Sequence, residues 1–91
     1  MRRSKLEMHV DILKALARRG PLNLTHIMYE VNISCSILKN YLDFLIQQNL
    51  VVERRLHKRR AVYAITERGL TVLDSFSLLK TFSLVEEAQE I

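Results

Sequence analysis

The sequence predicts a mainly α-helical fold carrying one small β-hairpin, in the order helix, helix, helix, strand, strand, helix. Three observations predict it. Apolar residues recur at helical spacing over residues 5–18, 24–31 and 34–48. After Asn49 the chain turns to β-branched residues and divides around a highly charged bend. A last apolar series resumes after Thr66 and continues to the C-terminus.

In the first helix Leu6, Val10, Ile12, Leu13, Leu16 and Ala17 alternate with Glu7, Asp11, Lys14 and Arg18, and Gly20-Pro21 stops it. Asn23 is a suitable N-cap for a short second helix from Leu24 to about Val31, with Leu24, Ile27, Met28 and Val31 inward and Tyr29 on the rim. A tight connection at Asn32-Ile33 leads to Ser34, which can cap a third helix reaching about Gln48. Its inner face is read as Ile37, Leu38, Tyr41, Leu42 and Leu45, with Phe44 a further candidate. Asn49 suits the left-handed conformation that ends a helix. Leu50 to Arg55 then reads as a strand, Leu56 to Arg59 as the bend, and Ala61 to Ile65 as the returning strand. Thr66 caps the fourth helix, and Glu67 sits in its favourable first turn. Two short helices joined by a tight turn, followed by a hairpin with a charged tip, describe a winged helix-turn-helix.

Composition narrows the function. The 91 residues suit one domain with one core, so residues 1–69 are expected to form the winged unit and residues 70–91 an added C-terminal helix. The longest apolar stretch, Leu70 to Val85, is interrupted by Asp74, Ser75, Ser77, Lys80 and Ser83, which argues against a membrane span. The single Cys35 allows no internal disulfide, and His9, His26 and His57 lack metal-ligand spacing, so no cofactor or metal is expected. There is no nucleophile elbow or glycine-rich phosphate loop, so an enzyme is not expected either. Charge is asymmetric: residues 1–69 hold 13 Lys/Arg against 6 Asp/Glu, whereas residues 70–91 hold 1 against 4. A basic body implies a polyanionic partner, and the acidic end implies a segment kept away from it.

Several segments resemble the small archaeal winged-helix DNA-binding proteins, a group that includes dimeric chromatin-associated members. They are Asp11-Ile12-Leu13, Ile27-Met28-Tyr29, and Ser34, Leu38, Tyr41-Leu42 and Phe44-Leu45 followed by Leu50-Val51. The run Tyr63-Ala64-Ile65-Thr66-Glu67-Arg68-Gly69 also resembles the wing-to-helix junction of PadR-like and MarR-like regulators. The resemblance implies DNA binding through the third helix and the wing, and dimerisation through the last helix.

The candidate DNA-binding residues follow. The wing carries Arg54, Arg55, His57, Lys58, Arg59 and Arg60; such a cluster repels itself unless phosphates relieve it. The outer face of the third helix offers Ser34, Ser36, Lys39, Asn40 and Asp43, among which Asn40 can pair with adenine. Arg2, Arg3 and Lys5 form a candidate arm. Leu70, Leu73, Phe76, Leu79, Phe82, Val85, Ala88 and Ile91 recur every three residues and wind around the last helix. Leu70 and Leu73 are assigned to the protomer's own core, and Phe76, Leu79, Phe82 and Val85 to a homodimer interface. The expectation is a cytoplasmic, nucleoid-associated homodimeric regulator bound to double-stranded DNA, with any small-molecule effector open. The alternatives are an architectural chromatin protein and a winged-helix protein-interaction module.

Overall fold

The computed structural model describes the backbone of residues 3–57 and 60–89 and the side chains of those up to residue 79. Its elements are α1 (Lys5–Arg19), α2 (Leu24–Val31), α3 (Cys35–Gln47), β1 (Val51–His57), β2 (Arg60–Ile65) and α4 (Glu67–Gln89), in the order and type predicted.

Each helix begins and ends for a local reason. The Ser4 hydroxyl accepts from the Glu7 N–H at the start of α1, and Gly20 closes that helix at φ 81°. The Asn23 side chain accepts from the His26 N–H at 2.9 Å, and Asn32 ends α2 in the left-handed region. Ser34 occupies the N-cap position of α3 but makes no side-chain cap bond, unlike the cap expected of it. Asn49, at φ 61°, turns the chain out of α3 and into β1.

The core is drawn from the four helices and β1, with Tyr63 and Ile65 of β2 packed against it. Ile12, Leu13 and Leu16 of α1 meet Ile27 and Val31 of α2, Leu38, Leu42 and Leu45 of α3, Val51 of β1 and Leu73 of α4. Met28 packs against this core and Tyr29 is exposed, the core-and-rim arrangement expected of the pair. Three apolar assignments need correction. Helical spacing puts Ile37 on the inner face and makes Phe44 a further candidate for it, yet they are 47% and 45% exposed. The apolar stripe of α3 is wider than the surface its neighbours cover, so its edge stays in solvent. Leu70 is expected in the core with Leu73, but only Leu73 is buried: Gly69 and Leu73, four residues apart, share the contact face, and Leu70 stands about 100° round from Gly69.

The hairpin is antiparallel, with Val51 opposite Ile65, Glu53 opposite Tyr63 and Arg55 opposite Ala61. Leu56 and His57, expected in the bend at Leu56 to Arg59, belong instead to β1, which runs on to His57; β2 starts at Arg60, and the register shifts between Arg55 and His57. A bulge there adds a residue to one strand and increases twist, lengthening the wing without breaking it. The outer edge of β2 pairs with the α1–α2 connection through reciprocal Leu22 and Tyr63 backbone bonds of 3.0 and 2.8 Å. Those bonds fix the wing to the helical body.

The start of α4 is clasped to the end of α3. The Thr66 hydroxyl donates to the Asn49 carbonyl at 2.7 Å and accepts from the Gly69 N–H at 3.0 Å. The Thr66 N–H donates to the Leu50 carbonyl, and Arg68 Nε donates to the Gln48 carbonyl. Gly69 is required by contact: a Cβ there would lie 2.3 Å from the Leu50 carbonyl oxygen. No helix among the described residues is long and apolar enough to cross a membrane.

Candidate nucleic-acid interface

The outer face of α3 follows from its core face. With Leu38, Leu42 and Leu45 buried, a 100° turn per residue sends Ser36, Asn40 and Asp43 to the opposite side, with Lys39 beside them. All four are exposed, as is Ser34 one residue before the helix. Cys35 is half-buried.

This face has a neighbour on each side. On one side is the wing. Tyr63 of β2 donates to the Glu53 carboxylate at 3.1 Å, and its pKa lies above the usual 10.0 because of burial, that hydrogen bond and the negative charges of Glu53 and Asp43. α3 packs against β1, which sets the helix beside the base of the wing. Tyr63 thus occupies the one acidic residue of β1, while Arg54, Arg55, His57 and Arg60 are exposed. The ion pairs among the described residues are Arg3–Asp11 and Arg19–Glu30, so none of these wing cations, nor Lys39, has a carboxylate partner there. Lys58 and Arg59 lie outside the described residues.

On the other side is the N-terminal half of α1. His9 stacks on Phe44 with ring centres 4.8 Å apart and planes at 24°, and meets Tyr41 edge-on at 4.7 Å. Partial burial, and then the charge of Lys5, hold His9 below its ordinary pKa of 6.5. A groove of about 470 Å³ runs here between Lys5, His9, Ile37, Asn40, Tyr41 and Phe44. Sequence reasoning missed this aromatic cluster. The only sign of it is that Tyr41 and Phe44 share an edge of α3, and which residue of α1 meets that edge is a tertiary fact.

The remaining candidates are distributed differently. Arg3 is drawn onto its own body, donating to Asp11 Oδ2 at 2.8 Å and to the carbonyls of Val31 and Asn32. Lys5 is the first residue of α1, so neither belongs to a free arm, and Arg2 lies outside the described residues. Phe76, assigned to an interface, is half-buried and packs against the protomer's own core. Leu78 and Leu79 are exposed, the latter by 68%. The side chains of Phe82 and Val85 lie outside the description. Among the described residues no group of His, Cys, Asp or Glu gathers that could hold a metal ion.

A family model described as winged helix-turn-helix matches residues 2–83. No curated protein matches the chain. Among solved structures, Sso10a-2, a DNA-binding protein from Sulfolobus solfataricus, is 25% identical, with a TM-score of 0.72 covering 97% of this chain and 95% of its own. RV1404 from Mycobacterium tuberculosis, 19% identical, has a TM-score of 0.82 over 92% of this chain and 58% of its own. ZitR from Lactococcus lactis, a zinc-responsive MarR family member, is 24% identical, with a TM-score of 0.70 over 88% of this chain and 58% of its own. The chain thus spans less than three fifths of RV1404 and ZitR but nearly all of Sso10a-2.

Proposed function

The chain belongs to the winged helix-turn-helix family, and we propose that it acts as a homodimeric transcriptional regulator that binds double-stranded DNA. In this reading α3 enters the major groove, where Asn40 pairs with adenine and Ser36, Lys39 and Asp43 face neighbouring bases or phosphates. The wing lays Arg54, Arg55, Arg60, Lys58 and Arg59 against the backbone and supplies most of the affinity. The observation that carries the reading is the exposed face of α3 beside wing arginines with no carboxylate partner among the described residues, the one acid of β1 being bonded by Tyr63. Such a surface is costly by itself and favourable against a polyanion. The likeness to Sso10a-2, a DNA-binding protein, supports it over nearly the same chain length.

Dimerisation is assigned to α4. Leu78 and Leu79 extend an exposed apolar face beyond the part of the helix that covers the core, and Phe82 and Val85 continue that series. A helix apolar on several sides is stable in water when a second chain covers it. A second reading, an architectural protein with little sequence preference, is favoured by one feature: α3 carries no arginine, so few strong base contacts are available.

Sedimentation of the full chain with and without random duplex tests the proposal. The expected result is a dimer that binds the duplex, and a Phe82→Glu monomer that keeps its helical signal and binds far more weakly. A wild-type monomer would refute the dimer, and absence of duplex binding would refute the assignment of α3 and the wing. Selection from random duplexes separates the two readings, since the regulator recovers a site and the architectural protein does not.

A further inference from the structure

We propose that Ile37 determines specificity by reading thymine: beside Asn40 in the major groove, it contacts the C5-methyl group on the base pair next to the adenine that Asn40 recognises. The inference rests on the duplex-binding reading and extends it to a class of site, a step of two A·T pairs.

Ile37 is, with Phe44, one of two large apolar residues of α3 left about half exposed. Its neighbour Leu38 is fully buried, whereas Ile37 is exposed in the first turn of α3, the end of a recognition helix that approaches the base edges. A β-branched residue there has poorer helix propensity than Ala, Leu or the long straight-chain polar residues, and a side chain about half exposed recovers only part of the packing that would offset it. A polar residue would serve a merely solvated position better.

The surroundings suit a methyl group on a polyanion. Ile37 shares its groove with Lys5, His9, Asn40, Tyr41 and Phe44. His9 covers one face of the Phe44 ring and meets Tyr41 edge-on, while Phe44 stays 45% exposed. Ile37, with the uncovered part of Phe44, leaves an open apolar wall in the groove that Asn40 and Lys5 also line. That combination matches the major-groove edge of A·T pairs, which presents a methyl group on thymine, a donor and an acceptor on adenine, and a flanking phosphate.

Spacing agrees as well. Residues three apart on a helix differ by about 4.5 Å along the axis and about 60° around it, and successive bases rise by about 3.4 Å. With α3 lying along the groove, Ile37 and Asn40 are spaced to reach adjacent base pairs. The stiff side-chain torsion of isoleucine holds its methyl groups in place before binding, so little freedom is lost on contact.

The test uses the full chain and a mixed duplex rich in A·T pairs, made once with thymine and once with uracil at every thymine position. Affinities are measured at several salt concentrations. Wild-type protein is expected to bind the uracil duplex about fourfold more weakly for each methyl group contacted, the equilibrium equivalent of leaving one methyl unburied. Ile37→Ser, at an exposed position and checked for an unchanged melting temperature, is expected to bind both duplexes equally with the wild-type salt dependence. Equal binding of both duplexes by the wild type, or discrimination retained by Ile37→Ser, overturns the assignment of Ile37 while steep salt dependence preserves the broader reading. A changed oligomeric state in Ile37→Ser also overturns it, by assigning the groove to a second copy. Absence of salt-dependent binding to either duplex overturns the duplex-binding reading and this inference together.

Discussion

The junction between the wing and α4 and the surface formed by α3 with the wing tip treat polar groups in opposite ways. At the junction, Thr66 both donates and accepts, Arg68 is bonded to the Gln48 carbonyl, and Gly69 leaves no room for a further atom. On the outer surface, Arg54, Arg55, Arg60 and Lys39 are exposed and have no carboxylate partner among the described residues. Where arginine holds the fold together, it is bonded to backbone carbonyls or to an acid of its own chain. Where it does not, its charge is available to something else. The comparison separates residues whose loss should unfold the chain from residues whose loss should leave it folded and inactive.

The junction is the place to break the fold. Gly69→Val should destabilise the protein by about 3 kcal/mol or more, because its Cβ would meet a backbone carbonyl that cannot rotate away. Denaturant unfolding reads this directly, and an unchanged midpoint in the milder Gly69→Ala would contradict the contact. Thr66→Ala should cost about 1 to 2 kcal/mol through loss of the cap and of the bond to Asn49. Its duplex affinity, measured where the variant is fully folded, should match the wild type.

The smallest effect is expected at the boundary between the two regions, where His9 joins α1 to the edge of α3. Partial burial, and then Lys5, disfavour its charged form, while the Tyr41 and Phe44 rings facing it from α3 offer no negative charge. The folded chain therefore binds fewer protons at His9 than the unfolded chain. This contribution is complete above the ordinary histidine pKa of 6.5 and is lost as pH falls below it. His9→Phe should flatten the decline in unfolding midpoint over that window, and an unaltered decline would assign it to other groups.

Much of the fold was legible because its signals are local. Asn23, Thr66, Gly20 and Asn49 each act on backbone groups within a few residues, and each performs the capping or terminating role its side chain suggests. Edges were harder to read. Helical spacing places Ile37 and Phe44 on the apolar side of α3 as readily as Leu38, and only the positions of α1 and the wing decide where burial ends. Arg3 was equally ambiguous, since a basic residue near a terminus suits either an arm or a tie, and the choice was made by Asp11 and the end of α2. The register shift in β1 left no trace in the sequence because Leu56 fits a strand as well as a bend.

The central claim, that the wing and α3 form a duplex-binding surface, is tested most directly by the salt dependence of affinity for random duplex. With about four phosphates neutralised per protomer, the dimer should give a slope of log affinity against log salt near −7. The paired substitution Arg54→Ala and Arg60→Ala should roughly halve that slope and leave the unfolding midpoint unchanged. A wild-type slope flatter than about −2, or one unaltered by the paired substitution, would contradict the account.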